Sequence, residues 1–361
     1  MSVIISLKAF FLKLISRHQI RPIVVNDSPK FLILMHQNIG DMIVCSPILR
    51  EIKDALPASN IHVIASNVNK DIAIANPYID NVIIYNNRWN KLFPILIMLR
   101  SCKFDFAIEL EAKIITRVIL MLKIINPKHV LSVSKREGRY GIDPQGIRPY
   151  DYYTDVSINH QRDTCLDILR ILNINFKNKK YDIFYSQENK EKALSFLKNL
   201  GSNNIIVGLN ITGSSHEKRL ANTDILKIID DLHTLSSKII IILLHKPENK
   251  RWMEELISLK NSSYVFPSYP TVSILDVAAL VDSVDLLITP DTSLVHIACA
   301  LEKPLLAIYR NDMVAFDAWH PKSINNHVVF SEESNSLKSL NINEIISKCS
   351  ELISTNIKKD L

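Results

Sequence analysis

Short, continuous apolar runs alternate with segments of helical spacing along most of the chain, and that alternation sets the class of fold. The first run, Lys30 to Met35 (KFLILM), ends in the loop His36 to Asp41. Apolar positions then recur at Ile43, Pro47, Ile48, Ile52 and Leu56, one face of a helix predicted over Met42 to Leu56. Further strands are predicted at Ile61 to Ala65, Asn81 to Tyr85, Phe104 to Leu110 and His129 to Val133, with helical segments between them. A strand that is apolar on both faces needs cover on both, so runs of this kind imply a parallel sheet between helix layers. The pattern breaks at Arg136 to Tyr153, a long loop rich in Pro, Gly and Arg, and a helix over His160 to Leu172 closes the unit.

The alternation resumes after residue 185, with strands predicted at Asn204 to Asn210, Lys238 to Leu244, Tyr264 to Phe266, Leu286 to Thr289 and Pro304 to Tyr309. The chain therefore reads as a basic amphipathic segment (1–28), a first α/β domain (29–185), a second α/β domain (186–335) and a C-terminal helical segment (336–361). Two doubly wound sheets facing one another leave a cleft, and such sheets bind ligands at the carboxyl ends of their strands. Asp41 and Asp291 each sit just past such an end, one in each domain.

The second of these positions carries the clearest chemistry. Leu286 to Thr289 runs through Pro290 into Asp291-Thr292-Ser293, after which Leu294, Ile297, Ala298 and Leu301 recur at helical spacing. The first amides of a helix lack partners and the dipole there is positive, so the turn suits a phosphate. Thr292 and Ser293 add hydroxyls. Asp291 either caps the helix or faces a sugar hydroxyl, because a carboxylate and a phosphate repel. His296 either reaches the anion from one turn inside the helix or is a packed core histidine.

Composition narrows the options. The 5 cysteines are scattered and form no CxxC pair, so neither a disulfide framework nor a zinc site is suggested, and a reducing compartment is the simpler expectation. The net charge is +6, of which Lys8, Lys13, Arg17 and Arg21 account for four before residue 25, with no acid among them. A nearly neutral body without an aromatic-interleaved basic stripe gives no sign of a nucleic-acid surface. Lys8 and Lys13 interrupt the apolar N-terminal stretch, so it reads as a helix lying on an anionic membrane surface or packed on the protein itself, not as a spanning segment.

IGDMIVCSPILREIKDALP within Phe31 to Pro57, NPYIDNVIIY at Asn76 to Tyr85 and ITPDTSLVHIACALEKPLLAIY at Ile288 to Tyr309 resemble glycosyltransferase family 9, the ADP-heptose:lipopolysaccharide heptosyltransferases. The resemblance covers most of residues 30 to 330. It implies a GT-B fold of two Rossmann-like domains, acceptor-binding first and nucleotide-sugar-binding second, with a C-terminal helix that commonly returns to the first domain. It also implies an inverting transfer of heptose from ADP-heptose to a lipopolysaccharide core or related glycan, without a metal or other cofactor, at the cytoplasmic face of the inner membrane.

Residue by residue, Asp41 matches the catalytic base of the family, with Asn38 and Gly40 beside it on the acceptor side. Lys218 matches the cation that meets the diphosphate, with Arg219 next to it and Thr212, Ser214 and Ser215 as hydroxyl donors. Glu248 matches a glutamate that holds the adenosine. Asp291, Thr292, Ser293 and His296 complete the donor site. Arg136, Arg139 and Arg148 are candidates for acidic groups of the acceptor. Departures cluster on the donor side: Ser293 replaces a usual glycine, and Leu220 a usual tryptophan. They keep open a GT-B transferase using another nucleotide-sugar, such as a UDP-hexose in O-antigen or capsule assembly; a non-catalytic nucleotide-binding member is a second alternative, against which the intact Asp41, Lys218, Thr292 and His296 argue.

Overall fold

The computed structural model describes residues 10–12, 22–85, 87–135, 150–155, 160–201, 203–213, 215–260 and 263–357. They fall into two compact units, Met1–Lys179 and Lys180–Leu361, so the boundary lies six residues before the one expected at 185.

The first unit contains strands β1 (Lys30–Met35), β2 (Asn60–Ala65), β3 (Asn81–Ile84), β4 (Phe106–Glu109), β5 (His129–Ser132) and β6 (Tyr152–Tyr153). Its helices are α1 (Ile39–Cys45), α2 (Pro47–Ala55), α3 (Lys70–Ala75), α4 (Trp89–Ser101), α5 (Thr116–Ile125) and α6 (Gln161–Ile171). The sheet order is β3-β2-β1-β4-β5-β6, with every pairing parallel. That is the doubly wound Rossmann order, which reverses direction between β1 and β4. The apolar runs were legible because these strands are buried on both faces: Phe31 to Met35 are all buried, as are all four residues of β4.

The single helix predicted over Met42 to Leu56 is two. Helix α1 begins three residues earlier, at Ile39, and ends at Cys45; α2 starts with Pro47, whose missing N–H costs least at the first position of a helix. Cys45 on α1 and Cys165 on α6 are joined as a disulfide with their Cα atoms 5.8 Å apart. This corrects the expectation that no cysteines pair. A sequence separation of 120 residues hides the pairing, which follows from the packing of α1 against α6.

The second unit contains β7 (Ile205–Asn210), β8 (Ile239–Leu244), β9 (Val265–Pro267), β10 (Leu286–Pro290), β11 (Leu305–Tyr309) and β12 (Asn326–Phe330). Its helices are α7 (Gln187–Lys198), α8 (Asn222–Leu235), α9 (Lys250–Lys260), α10 (Ile274–Ser283), α11 (Ser293–Ala300), α12 (Met313–Trp319) and α13 (Ile342–Ile357). The parallel order β12-β11-β10-β7-β8-β9 repeats the first sheet, with its reversal between β7 and β10. On the C-terminal helix α13, Ile342, Ile345, Cys349 and Leu352 are buried in the second core, packed with α8 and β10 to β12.

Of the N-terminal segment 1–28, residues 10–12 and 22–28 are described. Leu12 is buried in the first core, whereas Phe10 and Phe11 are exposed. Among the described residues no helix is long and apolar enough to cross a membrane.

Candidate functional site

Both sheets reverse order beside the residues singled out from sequence, and each reversal opens a crevice at the carboxyl ends of its two central strands. In the second unit those strands are β7 and β10. Strand β7 ends in Asn210, a polar residue at the close of an apolar run and buried. Its amide Nδ2 donates to the Thr289 hydroxyl at 2.9 Å and to the Thr292 hydroxyl at 3.4 Å. Its Oδ1 accepts from the Thr212 backbone N–H at 3.1 Å and from the Thr212 hydroxyl at 3.0 Å. Asn210 therefore ties the turn after β7 to the turn after β10. The sequence reading missed this role, although a polar residue closing the run IIVGLN was the available signal.

The loop after β7 then folds back on itself. At Gly213 an added Cβ would overlap the backbone carbonyl of Lys218, so only glycine lets the chain pass there. The fold-back, through a 3-10 turn over His216–Lys218, delivers the Lys218 ammonium to the Asp291 carboxylate, with which it forms an ion pair at the end of β10. Asp291 is thus neither helix cap nor isolated. The cap of α11 is Thr292, whose hydroxyl accepts the Leu294 N–H at 3.3 Å, and Ser293 is the first helical residue.

Three other donor-side expectations change. Thr212 is buried and spends its hydroxyl on Asn210. Arg219 lies over Trp252, its Cζ 3.4 Å from the ring centroid, and Trp252 in turn donates to Asn222 at 2.9 Å. The guanidinium is therefore a packing element, and of the two neighbouring cations it is Lys218 that reaches the end of β10. His296 is buried between Tyr181 and Trp319, with ring centroids 6.1 and 6.2 Å away, and its Nδ1 has no hydrogen-bond partner among the described residues. Burial pushes its pKa down to about 4, so the ring is neutral and contributes no positive charge. Glu248 is exposed in a 3-10 turn, Pro247–Asn249, after β8. Ser214 lies outside the described residues.

In the first unit the reversal lies between β1 and β4. After β1 the extended residue Asn38 opens α1, and Asp41 sits in the first turn. The Asp41 carboxylate accepts the Asn38 backbone N–H at 3.3 Å, so it closes the helix start from inside the turn and is not itself the cap. Gly40 is an ordinary helical residue of the same turn. Burial raises the Asp41 pKa above the ordinary aspartate value, and the negative charge of Glu111 adds to the rise, against the hydrogen bonds from Asn38.

Glu111 follows β4, and its position is fixed from below. Glu109, the last residue of β4, accepts the Glu111 N–H at 2.9 Å and the Ser132 hydroxyl at 2.8 Å, and it pairs with buried Lys135. Lys135 also donates to the Glu111 carbonyl. None of Glu109, Glu111, Ser132 or Lys135 was singled out from sequence; an acid closing the run FAIE was the signal. Arg136, Arg139 and Arg148 lie outside the described residues.

A family model described as glycosyltransferase family 9 (heptosyltransferase) matches residues 95–347. Lipopolysaccharide heptosyltransferase 3 of Escherichia coli is 20% identical over 81% of this chain and 85% of its own. Among solved structures, a glycosyl transferase family 9 protein from Veillonella parvula superposes with a TM-score of 0.74 at 18% identity, over 91% of this chain and all of the other. The Escherichia coli heptosyltransferase WaaC, solved with ADP, gives 0.68 at 18% identity over 90% and 99%. At such identities the superpositions establish the fold, two Rossmann-like units as in GT-B transferases, and the family match covers well over half the chain. The chain belongs to glycosyltransferase family 9, the heptosyltransferase family, and is a glycosyltransferase.

Proposed function

We propose that the protein transfers a heptose from ADP-heptose to a lipopolysaccharide core or related cell-surface glycan, with inversion at the transferred carbon and without a metal ion. The observation that carries the reading is Asp41, a half-buried carboxylate at the β1/β4 reversal whose pKa is raised and whose position is fixed by the Asn38 N–H. A raised pKa makes a carboxylate a stronger base toward an acceptor hydroxyl. Asp41 takes the hydroxyl proton as the acceptor oxygen attacks the anomeric carbon from the face opposite the ADP. The bond from that carbon to the diphosphate oxygen breaks, and the electron pair leaves on ADP. Lys218 and the first amides of α11 supply the positive potential that receives this charge, the work a metal ion does in other transferases.

Related proteins support the choice of substrates: a lipopolysaccharide heptosyltransferase of Escherichia coli among the sequences and a heptosyltransferase solved with ADP among the structures. The same reading has the protein act at the cytoplasmic face of the inner membrane, with the basic residues of segment 1–24 contributing to contact.

The experiment is a comparison of wild type with Asp41→Asn in EDTA buffer. ADP and ADP-heptose are expected to raise the melting temperature of both proteins, and only wild type is expected to turn over. Turnover by Asp41→Asn at the wild-type rate removes Asp41 as the base. Stabilisation by uridine nucleotides alone transfers the donor assignment to a UDP-sugar, and stabilisation by none of them favours a non-catalytic role.

A further inference from the structure

Helix α4 is apolar on two sides. Leu92, Leu96 and Leu99 are buried in the first core. At about 100° per residue the opposite side carries Phe93, Pro94, Ile97 and Met98, and Phe93, Ile97 and Met98 remain 51%, 48% and 53% exposed. Lys91 flanks this outer stripe on one edge and Arg100 on the other. Arg100 is held in place by donating to the Ile124 carbonyl at 2.8 Å. Between residues 86 and 104 the chain carries Arg88, Lys91, Arg100 and Lys103 and no acid. The adjoining stretch 112–129, which includes α5, packed on α4, adds Lys113, Arg117, Lys123 and Lys128, again with no acid. Leu12 is buried in the same core cluster as the inner side of α4, and its neighbours Phe10 and Phe11 are 68% and 55% exposed.

We infer that the outer face of α4 is a docking surface for an anionic lipid bilayer, into which Phe93, Ile97 and Met98 insert while Lys91, Arg100 and Lys103 meet lipid phosphates. A stripe of large apolar side chains along a helix with basic edges is the pattern that lies in a membrane interface. Each Lys or Arg near such a surface adds electrostatic attraction to the anionic headgroups. Charge argues against a second copy of the chain as the occupant, because a two-fold contact through α4 would set the basic edges of the two copies against each other. The inference deepens the proposed membrane association by moving its main contact from segment 1–24 to a folded helix, and it requires neither nucleotide nor transfer.

The test is flotation of the full-length protein with vesicles of phosphatidylcholine alone or with phosphatidylglycerol added, beside light scattering in solution. Wild type is expected to float with the anionic vesicles and to be released by salt. Phe93→Asp/Ile97→Asp is expected to lower lipid partitioning at least about tenfold with the melting temperature unchanged, since both side chains are exposed. Replacing Lys8, Lys13, Arg17 and Arg21 together with Gln is expected to lower it less. Failure of wild type to float, or wild-type flotation by the α4 variant, overturns the inference. A dimer in solution that the α4 variant dissociates overturns it too, by assigning the face to a second copy. Transfer to a water-soluble acceptor reports on the proposed reaction separately, so either reading can fail alone.

Discussion

Lys218→Met separates the two jobs that the structure gives one ammonium. Lys218 is paired with Asp291, and the two side chains are 21% and 20% exposed. Exposed ion pairs contribute about 0–1 kcal/mol, and breaking a fully buried one costs about 3–5. A pair at this depth falls between, so Lys218→Met is expected to cost roughly 1–3 kcal/mol and lower the melting temperature by a few degrees. The same ammonium is proposed to meet the diphosphate, and a hydrogen bond to a charged group contributes about 1.5–3 kcal/mol, a factor of roughly 10 to 150 in ADP affinity. Asp291→Asn should behave differently. Two anions, Asp291 and the diphosphate, compete for one cation, so neutralising the protein anion leaves ADP binding equal or tighter while stability still falls. Titration calorimetry with ADP in EDTA buffer, beside melting without ligand, reads both quantities. Wild-type ADP affinity in Lys218→Met would remove Lys218 from the phosphate site. An Asp291→Asn loss as large as that of Lys218→Met would sink the competition argument and show that the pair acts as one unit.

Gly213→Ala forces a Cβ into the Lys218 carbonyl; ADP affinity should fall at least about tenfold through displacement of the loop, while far-ultraviolet circular dichroism stays native, and unchanged affinity would mean the loop relaxes freely. His36 and His296, both lowered to about 4 by burial, stay neutral in the fold while the unfolded chain protonates near pH 6.5. Stability from this source is full above about pH 6.5 and falls as the pH drops toward about 4, by roughly 3 kcal/mol for each ring, and Asp41, whose pKa is raised, adds a smaller slope of opposite sign. Urea midpoints of wild type and His296→Phe across that range check this, the variant showing the shallower decline. Reducing Cys45–Cys165 opens a loop of 120 residues and should cost about 4–5 kcal/mol on a chain-entropy estimate, read as a lower melting temperature with reductant that Cys45→Ser/Cys165→Ser reproduces without it.

What could be read in the sequence, and what could not, divides along a physical line. The parallel strands announced themselves because burial on both faces demands continuous apolar runs, and KFLILM and IIIILL meet that demand without help from elsewhere. Strands β6 and β12 were missed for the converse reason. Tyr152–Tyr153 is two residues long, Asn326–Phe330 is only partly buried, and both are edge strands, which carry a weaker pattern. The start of α1 was placed three residues late because Gly40, a poor helix former, looked like loop. Yet Asp41 owes its setting to that start, since only from the first turn can its carboxylate reach back to the Asn38 N–H.

Partner choice was the part least legible. Lys218 and Arg219 are neighbours with the same charge, and nothing local tells which one faces the site. The answer lies 73 residues away at Asp291 for one and on α9 at Trp252 for the other. Two residues outside the sequence reading, Asn210 and Glu109, nevertheless share a legible signature. Each is the polar last residue of an apolar central strand, and each stands at the point where its sheet reverses order. Burial of such a residue is costly unless its hydrogen bonds are made, and both make theirs to the turns that carry Lys218, Asp291 and Glu111. A polar strand end at a reversal is therefore a clamp on the site loops, so Asn210→Leu should disturb ADP binding and Glu109→Leu the setting of Asp41, each while its own sheet persists.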